Sequence, residues 1–592
     1  MVIIDSGINL TNRTILDGIC IENTNNGIVF TDNLKDTLGH GTVIYSIISK
    51  KIDSSKVFII KLSECEDVFG GDCLIAALEY VKKHIRCRIV NISLGVVVSE
   101  NLNKLHKICE ELSRDGVIIV SAFDNDGCYS YPAAFDCVIG VDSKNDLSNI
   151  NEYAFVENSP INILAKGNLQ RITVQDEKTL LVGGSSVACA YISSILIENK
   201  MNFSNIVEAL AYLNSKAKII YPSLKTKKQI TNVLFDIKSA IVFPFSKEMH
   251  SLLRFSHMLP FNVVNYYDIR QSGKVGVRLS DYYEEIKSNQ CIMNIEGVDF
   301  ENVDTIILGH LDKLNAITKR DYKAELIKKA VDSGINIYSF DSLEPYSGLI
   351  DKSDIRCFYP RVTLNDVPNN SFGKLYKISK PVLGIFGTSS QQGKFSLQIS
   401  LKRELELLGY DVGTIGTEPQ SLLFDFDFSF PMGYNSTVSI NNSEIILYLN
   451  NIINKLCIRE KDIILVSSQA QTIPYYCNNL LEFPSMQYHF ALGTKPDVIV
   501  LCINYYDEVA YIKNSLYALM GLTDATIIAF MLYPITYSSG ENGVYSNKRY
   551  KITYQEYEKK AEELFKEFKI PTFLLGNGDH IRKLCEEIIE FF

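Results

Sequence analysis

The chain has no tryptophan, only 8 histidines in 592 residues, and no excess of positive charge: 59 Lys and Arg stand against 69 Asp and Glu, a formal net charge of -10. Such a surface repels a polyanion on average, so no nucleic-acid partner is expected. The 14 cysteines run from Cys20 to Cys585 without a CxxC pair, which argues against a disulfide frame and predicts reduced thiols. The histidines show no HExxH spacing, and no metal site is expected. There is no apolar run of membrane-spanning length, no internal repeat, and no long low-complexity linker. Strand-like sequence starts almost at Met1, with no basic leader before an apolar segment. These absences predict action in the cytoplasm without a membrane partner.

What is present is enough apolar sequence for several cores. At 592 residues and 46% hydrophobic composition, one core is too few, and three domains are expected, over residues 1–200, 201–375 and 376–592.

The most informative stretch is Gly184-Ser185-Ser186-Val187-Ala188, where small residues surround a serine at the start of an apolar helical run. Three partners precede it: Asp5 after the buried-strand signal Val2-Ile3-Ile4, His40 between Gly39 and Gly41, and Asn125 within Ala122 to Gly127. The chemistry asks for these residue types. A neutral serine hydroxyl needs a base to take its proton; His40 suits that role, and Asp5 would orient the imidazole and stabilise its charged form. The oxyanion that forms needs donors, for which the Asn125 amide and the Ser186 backbone NH are the candidates. The strand signal Ile89-Val90 leads to Ser93, Leu94 and Gly95, an extended edge on which a peptide substrate could lie by β-augmentation.

On these motifs residues 1–200 resemble the subtilisin-like serine proteases (subtilases, peptidase S8). Asp5-Ser6-Gly7, His40-Gly41-Thr42, Ser93-Leu94-Gly95, Asn125 with the following Tyr131-Pro132-Ala133, and Ser186-Val187-Ala188 stand where that family carries its aspartate, histidine, substrate strand, oxyanion asparagine and nucleophile helix. The resemblance implies an endopeptidase on a parallel-sheet α/β core. The chain departs from the family at Ser185, Ala190 and Asp124, where threonine, proline and glycine are usual.

Further along, Ser239 to Phe243, Asp304 to Leu308 and Ile335 to Phe340 read as strands, with a helix from Asp321 to Val331 before Gly334. This alternation predicts a small Rossmann-like unit, without the glycine fingerprint of a dinucleotide site. The strand Val382 to Gly387 then runs into a polar loop and a helical pattern, an arrangement that offers a phosphate backbone donors and a lysine. Gly387, Gly393 and Lys394 form the loop candidates; Phe395 takes the usual hydroxyl position, leaving Ser396 to meet magnesium. Asp425 and Asp427, in the alternating run 423–428, either supply a carboxylate or belong to a strand. Residues 235–592 resemble a bacterial two-domain P-loop family of the DUF1611 type, associated with D-glutamate N-acetyltransferases, on 329–335, 387–394 and 493–500. In place of that family's segment with a glutamate and glycines stands Ser467-Ser468-Gln469-Ala470. Tyr554 to Phe568, Pro571 to Leu575 and Ile581 to Phe592 read as a closing helix, strand and helix.

The expected fold class is therefore α/β: a subtilisin-like parallel-sheet domain followed by Rossmann-like and P-loop-like α/β domains. The expected function is a cytoplasmic serine endopeptidase acting on a peptide or protein substrate, a precursor peptide in the maturation reading, with no cofactor for proteolysis and ATP or GTP with magnesium as candidate ligands at the glycine loop. The alternatives are a nucleotide-binding regulatory protein with an inactive protease domain, and an amino-acid N-acyltransferase in the C-terminal region.

Overall fold

A computed structural model describes residues 1–9, 17–24, 27–63, 71–98, 101–125, 127–174, 179–199, 203–223, 232–283, 286–369, 371–475, 477–478, 480, 483–539 and 545–592. The chain is mixed α/β with several parallel sheets, and it divides into two compact units. One comprises Met1–Lys225, Val367–Ser379 and Asn450–Glu460; the other comprises Thr226–Asp366, Lys380–Leu449 and Lys461–Phe592. The expected boundary at 200/201 lies outside the described residues.

The first unit is built on a ten-stranded sheet. Its centre is a parallel block in which Val2–Asp5 pairs with Ile89–Ile92 on one side and Phe58–Ser63 on the other. Both central segments are buried at every position, as continuous apolar runs in a covered parallel sheet should be. Helices His40–Ile48, Ser185–Glu198 and Ile206–Lys216 share one apolar core with the sheet. Gly71–His84 and Leu102–Arg114 share another. Parallel strands present all their carboxyl ends on one edge, and Asp5 and Ser93 fall there.

The second unit carries a six-stranded and a seven-stranded sheet, each parallel throughout. Local signals set many of its elements. Asp321 caps the helix Tyr322–Ser333 by accepting from Ala324 N at 3.0 Å, and Gly334 ends it at φ 68°. Thr553 and Glu556 form a reciprocal capping box at the start of Tyr554–Phe568. The run 423–428 is mostly not a strand: Ser421–Phe424 is a short 3-10 turn, Asp425 sits at φ 55°, and only Phe428–Ser429 pairs. Asp427 accepts from Thr414 N at 2.9 Å and Thr414 Oγ1 at 3.1 Å, so its carboxylate is engaged in holding the turn. Among the described residues, no helix is long and apolar enough to cross a membrane, and none of the thirteen described cysteines is in a disulfide.

Candidate functional site

The first half of the site is an acid and a histidine brought together at a strand end. Asp5 is 2% exposed, and its Oδ1 accepts from His40 Nδ1 at 2.7 Å and from Ser6 N at 2.7 Å. A carboxylate only accepts, so the neutral ring carries its proton on Nδ1 and leaves Nε2 with a free lone pair. That is the tautomer a general base needs. Burial works to lower the His40 imidazole, but the charge and hydrogen bond of Asp5, with the Asp36 charge behind them, outweigh it and hold the ring above its ordinary value. His40 opens its helix because Gly41 allows the turn to lie on Gly7: a Cβ at Gly41 would meet the Gly7 oxygen at 2.2 Å.

The second half is the start of the helix Ser185–Glu198. Gly184 precedes it at φ 107°, a conformation that favours glycine. Ser186, the second helical residue, donates from Oγ to Ser93 O at 2.8 Å. Ile4 pairs with Ile92, so Asp5 and Ser93 are the next residues on neighbouring parallel strands, which lie about 4.8 Å apart. The histidine's acid and the serine's anchor thus sit side by side. Below them Asn91 ties strand to helix, donating to Ser93 Oγ at 2.7 Å and accepting from Ser193 Oγ at 2.8 Å. Asn125 is exposed; its Oδ1 accepts from Ser185 N at 3.1 Å and Ser185 Oγ at 3.2 Å. Its amide nitrogen has no protein acceptor among the described residues, and neighbouring helix N-terminal NH groups favour negative charge.

The structure therefore brings Asp5 to His40, Ser186 to Ser93, and Asn125 to the residue before Ser186. It does not join Ser186 to His40: the serine hydroxyl spends its proton on the Ser93 carbonyl. Ser93 to Gly95 continue from Ile89–Ile92 as irregular chain, with Ser93 buried and Leu94 and Gly95 half-buried. The next residue, Val96, exchanges backbone hydrogen bonds of 2.8 Å with Tyr131, and a Cβ at Gly95 would lie 2.6 Å from Ser130 Oγ.

The glycine loop in the second unit is wired to itself. Lys394, the first residue of the helix Lys394–Leu407, is 5% exposed, and its Nζ donates to Ser389 O at 2.7 Å. Burial pushes its ammonium down to about 8, against the opposing charges of Cys502 and Glu418. Gln392 fills the loop, accepting from Ser389 N at 3.0 Å and donating to Thr388 Oγ1 at 2.6 Å. The Thr388 backbone NH is also engaged, by Cys502 O at 3.1 Å. Gly387 and Gly393 flank this cluster: a Cβ at Gly387 would meet Gln392 Oε1 at 2.5 Å, and Gly393 adopts φ 72°. Ser396 is half-buried on the following turn.

Comparison with known proteins finds a segment 29% identical over 166 residues to the minor extracellular protease Epr of Bacillus subtilis strain 168, covering 26% of this chain and 24% of that protein. The match spans about a quarter of that relative's length. No family model matches the chain. Among solved structures, a DUF1611 family protein from Anabaena variabilis ATCC 29413 superposes with TM-score 0.43 at 13% identity, over 60% of this chain and all 100% of that one. A cold-adapted subtilisin-like serine proteinase superposes with TM-score 0.30 at 17% identity, over 37% of this chain and 83% of that one.

Two residues at the serine site escaped the sequence reading. Asp36 lies beneath the histidine loop and accepts from Ser6 Oγ at 2.9 Å, Gly39 N at 2.8 Å, Thr42 N at 2.9 Å and Thr42 Oγ1 at 2.6 Å. Burial pushes Asp36 up, but these hydrogen bonds hold it below the ordinary carboxylate value. Its signal was an acidic residue four positions before His40, in the turn that starts a helix. Ser185, noted only as a departure, is buried and donates from Oγ to Phe123 O as well as to Asn125. It ties the asparagine loop to the helix that carries Ser186. The described residues also hold a group of metal-ligand types, His106, Asp136 and Cys137, with ligand atoms within 4.8 Å of one another. It shares no residue with the serine site.

Proposed function

We propose that this chain is a subtilisin-like serine endopeptidase that cleaves a peptide or protein substrate. The observation that carries the reading is the His40 to Asp5 bond at the end of a central strand, beside the strand end on which Ser186 is anchored. In the reaction Ser186 Oγ turns from the Ser93 carbonyl, gives its proton to His40 Nε2 and bonds to the scissile carbonyl carbon. The oxyanion is held by the Asn125 amide and the Ser186 backbone NH. Collapse breaks the C–N bond as His40 returns the proton to the leaving amine, and water then releases the acyl group by the same steps in reverse order. The substrate backbone lies along Ser93, Leu94 and Gly95. No cofactor takes part in this scheme. Action in the cytoplasm, on a precursor peptide rather than in bulk digestion, suits a chain with so much sequence outside the protease-like unit.

Asn125 separates this reading from one in which the motifs are only structural. Asn125→Ala should lower turnover on the order of 100-fold, the loss of roughly 3 kcal/mol of transition-state stabilisation, with little change in KM. Steady-state cleavage of a fluorescent casein by a folded variant measures it. Unchanged turnover would remove Asn125 from the mechanism.

A second reading attaches to the other unit, on the observation of a buried lysine at a helix N-terminus in a glycine loop. There Gly387, Gly393 and Lys394 hold phosphate oxygens of ATP or GTP and Ser396 meets magnesium, once Gln392 swings out and Lys394 Nζ leaves Ser389 O. Calorimetry with each nucleotide, with and without magnesium, should show binding in the parent that Lys394→Ala weakens. A lysine held down to about 8 should take up protons as an anion arrives, so the binding enthalpy should depend on the buffer's own ionisation heat near pH 8. Absence of binding under every condition leaves the loop as scaffold.

A further inference from the structure

The loop that carries Asn125 is held from a part of the chain some 250 residues away. Lys374, only 7% exposed, donates from Nζ to the Asp124 carbonyl at 2.9 Å and pairs with Asp142 Oδ2 at 3.3 Å. Next to it, Leu375 forms a parallel bridge with Cys128 and accepts from Tyr129 N at 3.0 Å. Tyr376 packs on Tyr129 with ring centroids 4.5 Å apart, and its backbone exchanges hydrogen bonds with the Asn450 side chain at 2.8 and 2.9 Å. Asn454 accepts from Tyr131 Oη at 2.6 Å. All of these residues belong to the first unit.

These contacts bracket Asn125 on both sides in sequence, at Asp124 and at Cys128 and Tyr129. The asparagine itself is exposed and borders a cavity of about 490 Å³ that Asp142, Phe372 and Lys374 also line. The loop therefore lacks packed side chains on that face, and the segment 374–376 supplies the support that packing would otherwise give. A lysine this buried, held between a carbonyl and a carboxylate, is a strut, because leaving either partner would cost a mostly desolvated charge its compensation.

We propose that Lys374, with the segment 374–376, is a positioning element for the oxyanion donor: it fixes Asp124 on one side and Cys128 and Tyr129 on the other so that the Asn125 amide faces the reacting carbonyl. The inference rests on the protease reading above. Lys374 touches no reacting atom and acts through Asn125. Its removal leaves the Asp124 carbonyl and the Asp142 carboxylate without their cation and lets the loop shift, and displacements of about 1 Å in a positioned group cost on the order of 100-fold in rate.

The test uses the full chain and two independent readouts. In the first, rates of labelling by a fluorophosphonate are measured against probe concentration for the parent, Lys374→Ala, Lys374→Arg and Asn125→Ala, and for the double variant. The expected result is a fall of roughly 10- to 100-fold in the limiting rate for Lys374→Ala, with half-saturation little changed. Lys374→Arg should recover most of it, and Lys374→Ala should add nothing once Asn125 is alanine. Parent-like labelling of folded Lys374→Ala, or an equal loss in both backgrounds, overturns the proposal. The second readout is amide hydrogen exchange over 122–131, which needs no activity. Faster exchange at Tyr129 in Lys374→Ala supports the strut, and unchanged exchange overturns it even in a protein that labels nowhere. A parent that fails to label at Ser186 counts against the protease reading alone.

Discussion

Ser186→Ala is expected to abolish labelling by a serine-directed fluorophosphonate and to remove about a millionfold of peptidase turnover, with thermal unfolding close to that of the parent. The stability half of this expectation follows from the contacts. Ser186 is half-buried, and its hydroxyl makes one hydrogen bond, to Ser93 O, worth about 1 kcal/mol. The activity half follows because the adjacent hydroxyl is not placed to replace it: Ser185 is buried and spends its proton on Phe123 O and Asn125. Ser185→Ala is the matching control. It should unfold more easily than the parent, because it cuts the tie between the asparagine loop and the helix, and it should still label. Mass spectrometry of the labelled protein decides between the two serines. Labelling of a folded Ser186→Ala protein at the parent's rate would end the proposed mechanism.

Asp5→Asn should lower turnover by about 10,000-fold and move the acid limb of the pH profile to lower pH. Asp5 Oδ1 fixes the His40 proton on Nδ1, whereas an amide presented there can donate, turning the ring to the tautomer that has no lone pair for serine. The same carboxylate also opposes burial in setting the ring's proton affinity. Activity in the parent needs neutral His40, so labelling should rise with pH through a value above 6.5, the ring's ordinary one. Stability runs the other way. A folded-state pKa above the unfolded one contributes stability that is fully present below about 6.5 and is lost as pH rises through the folded value. Asp5→Asn should therefore narrow the stability gap between pH 5.5 and pH 8 while it shifts the rate profile. An unchanged acid limb in a folded variant would show that Asp5 does not govern His40.

The placement of Asp5 at a strand end, and of His40 and Ser186 at helix starts, was readable in sequence because each sits in a short local pattern. A buried apolar strand delivers the acid, glycines flank the histidine, and a glycine opens an apolar helix at the serine. The helix caps at Asp321 and Thr553 are equally local, since their side chains reach only three residues along the chain. Patterns of this range are imposed by φ/ψ limits and by element period, and they leave a mark in adjacent letters. The acidic stretch around Asp425 misled the strand reading because one residue in the left-handed region breaks an alternation that looks continuous.

Other features have no such local mark. Ser93 as the partner of Ser186, Gln392 folded into the glycine loop, and the strut from Lys374 to Asp124 each depend on where separate elements come to rest. So does the assignment of Val367–Ser379 and Asn450–Glu460 to the first unit, although all of the sequence between them belongs to the second. A hydrogen bond across 250 residues is chosen by distance and by the need of a buried charge for a partner, conditions that exist only once the chain has packed. Sequence alone therefore determined which residues carry the group types that the proposed chemistry needs and on which strand and helix ends they stand. Tertiary structure decided what holds the loop around Asn125 and which partner the Ser186 hydroxyl takes, because burial and proximity, unlike residue type and spacing, are properties of the folded chain.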